Sequence, residues 1–175
     1  MRLKVVPGPT SMQFVNQADQ AERLHAALRA RRLTLATAES LTGGALADLV
    51  SSVPGASATY LGGGVSYATA VKQQLLGVSL VTIETHGVVS AQCAAEMARG
   101  VRVLLGSDIG VSTTGVAGPD RQEGKPVGLV HIAVDDVDGT RTHELRLVGD
   151  RPEIRTAACS HAVSAALDAL LDQDL

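Results

Sequence analysis

The order of apolar segments predicts an α/β protein built on a mixed sheet with helices on both faces. Three observations carry that prediction. Strand-like apolar runs alternate with helix-spaced ones along the chain. The longer helical stretches put their apolar residues on one face, as a helix laid on a sheet does. One hairpin signal, Asp138-Gly139, joins the last two strand-like runs and makes the sheet mixed rather than purely parallel.

Ala21, Leu24, Ala27 and Leu28 follow helical spacing and predict a first helix from about Asn16 to Arg31. Thr34 to Glu39 reads as a short buried strand, Ser40 to Gly44 as a sharp junction, and the next helix runs to about Ser52, before the Pro54-Gly55 turn. Tyr60 to Tyr67 is a glycine-rich second strand. A helix carrying Lys72 follows and is closed by Gly77, then comes a short segment from Leu80 to His86. Ser90 caps a longer helix to about Leu105, with Ala94, Met97, Ala98, Val101, Leu104 and Leu105 on one face. Three further strands are expected at Ile109–Thr114, Gly128–Val134 and Thr140–Val148, giving five in all. Asp150 and Glu153 have the spacing of a capping box for a last helix from about Arg151 to Leu171. Residues 1–15 are expected to be an N-terminal tail that orders only against a neighbour, and residues 16–175 one folded domain.

Only three of the 175 residues are aromatic, so the core has to be built from closely packed Ala, Val, Leu and Ile. The net charge of -3 gives no electrostatic reason to expect nucleic acid or an anionic membrane as partner. Cys93 and Cys159 lie far apart without a CxxC pair, which fits buried thiols in a reducing, cytoplasmic compartment. No stretch approaches the length of a membrane span. Alanine-rich helices need cover, and closed homo-oligomers are common, so symmetric association is expected.

In an open α/β sheet, ligands sit at the carboxyl ends of the strands. Three segments fall there: Ala38-Glu39-Ser40-Leu41-Thr42-Gly43-Gly44, Tyr67 to Lys72, and Thr113-Thr114-Gly115-Val116-Ala117-Gly118-Pro119. Ser40 reads either as a helix N-cap or as a nucleophile beside backbone N–H groups of Thr42-Gly43-Gly44 that stabilise an oxyanion. None of the five histidines has a spacing that proposes a base, and there is no metal-ligand cluster. Lys72 reads either as a solvated helix lysine or as a buried, neutral amine acting as base, with Tyr67 relaying a proton or fixing it. Arg151 and Arg155, one helical turn apart, read either as surface residues or as a clamp on a substrate phosphate.

Taken as an ordered set, these segments resemble the C-terminal domain of CinA proteins, a family that includes nicotinamide-nucleotide amidohydrolases. The resemblance lies in Ala38-Glu39-Ser40-Leu41-Thr42-Gly43-Gly44, Tyr67 with Lys72 and Leu76-Gly77-Val78, Thr114-Gly115-Val116-Ala117-Gly118-Pro119, Lys125-Pro126-Val127-Gly128, and Gly149-Asp150-Arg151 with Ile154-Arg155. It implies a three-layer α/β/α sandwich with a mixed five-stranded sheet, and hydrolysis of nicotinamide mononucleotide to nicotinic acid mononucleotide and ammonia without metal or cofactor. By motif matching it implies Ser40 as nucleophile, Lys72 as base and Tyr67 as its partner. Thr42, Gly43, Gly44, Thr114, Gly115, Arg151 and Arg155 would then meet the substrate. The chain departs from the family pattern at Leu41, at Ala68-Thr69, and in Asp120-Arg121-Gln122-Glu123-Gly124, which lacks the usual Gly-Gly pair. Two alternatives stay open: a nucleotide-binding module without catalysis, and a deamidase of another carboxamide. A dinucleotide-dependent oxidoreductase is a weak third, because no GxGxxG opens a helix and Gly62-Gly63-Gly64 lies inside an apolar run.

Overall fold

A computed structural model describes residues 5–6 and 11–172, with side chains from 17 to 171. The chain runs β1 (Val5–Val6), α1 (Ser11–Arg31), β2 (Leu35–Glu39), α2 (Ala45–Ser51), a single 3₁₀ turn at Ala56–Ala58, β3 (Tyr60–Val65), α3 (Thr69–Leu76), α4 (Leu80–His86), α5 (Ala91–Leu105), β4 (Ile109–Gly115), β5 (Leu129–Asp136), β6 (Gly139–Leu147) and α6 (Arg151–Asp172). Five main strands form the mixed sheet expected from sequence, and the two-residue β1 adds to its edge, giving the order β1-β6-β5-β4-β2-β3. β2 lies parallel between β3 and β4; β4, β5 and β6 follow one another antiparallel.

The architecture is three layers. Leu24 and Leu28 of α1, Leu46 and Val50 of α2, and Ile154, Ala158 and Leu170 of α6 share one cluster with Leu35, Val111, Ile132 and Val134 of the sheet. On the other face Leu76 of α3 and Cys93, Met97 and Val101 of α5 pack on Ala36 and Ala38. Small residues at this second interface let α5 approach closely: a Cβ on Gly110 would overlap the Ala98 carbonyl oxygen. Gly63 has a comparable reason, since a Cβ there would collide with the Thr37 hydroxyl and the Tyr60 phenol, which hydrogen-bond each other at 2.6 Å. Within the glycine run of β3, Gly63 therefore makes room for a tyrosine, while Gly62 and Gly64 face Leu105 and Leu75, and the run opens no helix as a dinucleotide fingerprint would.

Local signals set several boundaries. Asp150 and Glu153 each accept the other's backbone N–H, at 2.8 and 3.0 Å, completing the capping box of α6. Ser90 Oγ accepts from Cys93 N at 3.1 Å, and Gly77 closes α3 at φ 67°. The β5–β6 hairpin turns at Val137-Asp138, with Gly139 at φ 117° opening β6. Two expectations need correction. α1 begins at Ser11 rather than near Asn16, and Val5–Val6 pair parallel with Arg146 and Leu147; the rest of the expected tail lies outside the described residues. Leu104 and Leu105 are exposed, at 51% and 37%: Leu104 lines a groove between α3 and α5, and Leu105 lies beside Gly62 of the edge strand β3, where no further strand covers it. Cys93 and Cys159 are free and buried, as expected. Among the described residues no helix is long and apolar enough to cross a membrane, and no group of His, Cys, Asp or Glu is placed to hold a metal ion.

Candidate active site

Three chain segments converge at the carboxyl ends of β2, β3 and β4. β2 continues into Ser40, whose N–H donates to the Thr113 carbonyl at 2.9 Å and so fixes the serine to β4. The chain then turns sharply, with Gly43 and Gly44 at φ 59° and 99°, conformations that glycine adopts without strain. Ser66, just past β3, donates its N–H to the Glu39 carbonyl at 2.8 Å, tying the third segment to the same point.

Lys72 meets the serine there. It is one of the largest fully buried side chains, 1% exposed. Its Nζ lies 2.9 Å from Ser40 Oγ, 2.5 Å from the Ser66 carbonyl oxygen and 3.5 Å from that of Tyr67. Among the described residues no carboxylate pairs with it. Burial holds the Lys72 amine below its ordinary value of 10.5, opposed in smaller part by the nearby Glu123 charge and, were it ionised, the Cys93 thiolate. Cys93 is itself pushed up to about 11 by burial. It is therefore an uncharged thiol at neutral pH and offers the ammonium no stabilising anion.

Glu39, 1% exposed, lies beneath the Ser40 turn. Its carboxylate accepts the N–H groups of Gly44, Leu46 and Ala47 at 2.9, 3.0 and 2.8 Å. It thus fills the anion-binding position that the start of a helix offers. Arg155 holds the same turn from α6, donating to the carbonyl oxygens of Leu41 at 3.1 Å and Thr42 at 2.5 Å. The Thr42 hydroxyl hydrogen-bonds Thr113 Oγ1 at 2.7 Å. With these contacts made, the N–H groups of Leu41, Ala117 and Gly118 have no acceptor among the described residues.

Those three residues line a pocket of about 110 Å³ above Ser40, together with Tyr67, Gly115, Val116, Asp120, Gln122 and Arg151. A larger groove of about 490 Å³ between α3 and α5, lined by Leu75, Ser79, Glu96, Arg99 and Leu104, includes neither Ser40 nor Lys72, and its one hydroxyl, that of Ser79, is bonded to Glu96 and Thr82. The pocket's far wall is the loop after Gly118, and Glu123 and Lys125 tether it. Glu123 accepts from the N–H groups of Val88 and Val89 at 3.1 and 3.3 Å, and Lys125 donates to the carbonyls of His86 and Val89 at 2.8 and 2.6 Å.

The CinA C-terminal domain profile matches residues 17–170. The chain belongs to the CinA C-terminal domain family. It is 55% identical over 138 residues to a CinA-like protein of Frankia casuarinae, covering 79% of this chain and 31% of that one. It is 46% identical over 144 residues to a putative competence-damage inducible protein of Bacillus pumilus, covering 82% and 35%. The chain thus spans about a third of the length of these curated relatives. Among solved structures, a CinA superfamily protein from Klebsiella pneumoniae superposes with a TM-score of 0.87 at 33% identity, covering 89% of this chain and 98% of that one. A competence/damage inducible protein from Agrobacterium tumefaciens gives 0.84 at 35% identity, covering 94% and 98%.

In this CinA-type domain the residues singled out from sequence do not all face the pocket. Ser40 and Lys72 are in contact, and Gly115 and Arg151 line the pocket beside them. The Tyr67 phenol does not reach Lys72. It is 60% exposed and accepts from Arg151 at 2.9 Å, and only the tyrosine's carbonyl approaches the amine. The reason is placement: Tyr67 follows the end of β3, where its side chain swings toward α6. The N–H groups of Gly43 and Gly44 are already bonded, to the Ser40 carbonyl and to Glu39, so neither is open to an oxyanion. Thr114 is 1% exposed and donates to the Val88 carbonyl at 2.7 Å, on the α5 face of β4. Arg155 supports the Ser40 turn rather than presenting its guanidinium to the pocket, whereas Arg151 donates to the Gly118 carbonyl at 2.6 Å and remains exposed. Sequence reasoning missed Glu39, Asp120, Gln122, Glu123 and Lys125. Glu39 was detectable, since a carboxylate inside a strand expected to be buried has to find donors.

Proposed function

We propose that the chain hydrolyses a carboxamide, with Ser40 as nucleophile and Lys72 as general base, and that the substrate is nicotinamide mononucleotide, converted to nicotinic acid mononucleotide and ammonia. The observation that carries this reading is the 2.9 Å contact between Ser40 Oγ and a fully buried lysine amine that has no carboxylate partner among the described residues. A neutral amine has two hydrogens and one lone pair. The Ser66 and Tyr67 carbonyls accept the hydrogens, and the lone pair then faces the serine hydroxyl.

In the first half-reaction Lys72 takes the Ser40 proton as Oγ bonds to the carboxamide carbon. The Leu41 N–H, and those of Ala117 and Gly118 across the pocket, serve the developing oxyanion. The carbon–nitrogen bond breaks as the Lys72 ammonium protonates the leaving nitrogen, releasing ammonia and leaving an ester on Ser40. Lys72, neutral again, deprotonates a water that attacks the ester; the carbon–Oγ bond breaks and the proton returns to Oγ. A pocket of about 110 Å³ suits the carboxamide-bearing ring, with the ribose phosphate extending past Arg151. The same reading has the protein acting in the cytoplasm on a small-molecule nucleotide, as a closed homo-oligomer.

The test is ammonia release from nicotinamide mononucleotide by the wild type, Ser40→Ala and Lys72→Met, with circular dichroism as the check on folding. Each variant should lose activity by about 10³-fold or more. Full activity in either folded variant, or saturable binding by the wild type with no ammonia over a long incubation, overturns the reading.

A further inference from the structure

We propose that Asp120 reads the charge of the substrate's ring, so that the pocket over Ser40 takes a carboxamide on a cationic heteroaromatic ring in preference to the same ring uncharged. The inference rests on the amide-hydrolase reading and adds to it the residue that discriminates.

Asp120 and Arg151 line the same pocket of about 110 Å³. Both are exposed at its rim, and they do not pair with each other. Arg151 instead donates to the Gly118 carbonyl at 2.6 Å and to the Tyr67 phenol at 2.9 Å. Asp120 has no hydrogen bond or ion pair among the described residues. The loop that carries Asp120 is not free to bring it to the arginine, because Glu123 and Lys125 fasten that loop to Val88, Val89 and His86. A pocket that keeps a carboxylate and a guanidinium apart complements a ligand bearing both signs of charge. A carboxamide pyridine linked to ribose through its ring nitrogen carries a positive ring, and its phosphate is negative. Reduction of the ring to the dihydropyridine removes the positive charge and leaves the carboxamide, ribose and phosphate in place. The change in that difference when Asp120 alone is neutralised therefore isolates its contribution from that of Arg151.

The experiment is calorimetric titration of the full chain carrying Ser40→Ala, which prevents turnover, with oxidised and reduced nicotinamide mononucleotide, each with Asp120 and with Asp120→Asn. With Asp120 the oxidised form should bind about fivefold more tightly or better, the preference of an exposed carboxylate for a unit charge at contact distance. The preference should shrink as salt is raised. In Asp120→Asn, which keeps shape and one acceptor oxygen, the ratio should fall to near one and become insensitive to salt. A ratio near one with Asp120 intact, or a ratio unchanged by Asp120→Asn, overturns the proposal. The two readings separate cleanly: if Ser40 proves dispensable for ammonia release while the ratio still follows Asp120, the nucleophile assignment falls and the ring-charge role stands.

Discussion

Replacing Glu39 tests whether the turn that presents Ser40 is held by one buried carboxylate. Glu39 is 1% exposed and accepts three N–H groups, from Gly44, Leu46 and Ala47. Glu39→Ala leaves three donors at the start of α2 without an acceptor and removes the negative charge that complements the helix dipole. Each buried donor left unsatisfied costs about 1–3 kcal/mol, and the three are neighbours whose costs do not simply add, so the expected loss is roughly 3–6 kcal/mol. That is a large part of the 5–15 kcal/mol that holds a typical domain together. Glu39→Gln keeps one acceptor oxygen and turns an NH₂ toward the remaining donors, so about half that loss is expected. Urea unfolding gives both numbers, from the shift in midpoint at constant slope. Glu39→Ala within about 1 kcal/mol of wild type would refute the reasoning. So would a Gln variant less stable than the Ala variant.

Four shorter predictions follow from the same geometry. Because burial places the folded-state pKa of Lys72 below 10.5, ammonia release should rise with pH along an acidic limb whose midpoint lies below that value; a midpoint at or above it contradicts the assignment. The same depression means that below its folded-state pKa the folded chain bears the cost of charging a buried amine. Wild-type stability should therefore increase with pH between the folded-state and unfolded-state values, a slope that thermal melts of Lys72→Met should lack. Arg155→Ala removes both donors to the Leu41 and Thr42 carbonyls, and should cost roughly 1–3 kcal/mol in stability and lower kcat more than it raises KM, with Lys a poor substitute for the two-pronged contact. Glu123→Ala frees the loop bearing Asp120 and Gln122, and should raise KM and speed proteolysis between residues 119 and 125 while leaving the global unfolding midpoint nearly unchanged.

Much of the fold was legible because its determinants are local. The reciprocal Asp150 and Glu153 cap, the Ser90 cap and the Gly77 stop each depend on residues within a few positions of one another. Leu104 and Leu105 show where such signals end: their helical spacing is correct, but their burial depends on what flanks the edge strand β3 and the groove beside α3, which spacing does not encode. The candidate site divides in the same way. Ser40 and Lys72 could be nominated from chain order and motif, whereas their 2.9 Å contact depends on β2 and β3 being parallel neighbours. Thr113 and Thr114 alternate across β4, and only the register reveals that one hydroxyl faces Thr42 and the other Val88. Arg151 and Arg155 share a helix face, yet one reaches the pocket and the other the turn below it, a difference of reach that a four-residue spacing does not encode.

The most direct measurement is mass spectrometry of the peptide containing Ser40 after the wild-type protein is mixed with nicotinamide mononucleotide and quenched in acid during turnover. The peptide should gain the mass of one acyl group, on the serine, and the gain should vanish in Ser40→Ala along with ammonia release. Steady ammonia release by the Ser40→Ala protein, or an acyl group carried on a different residue, would contradict attack by this hydroxyl.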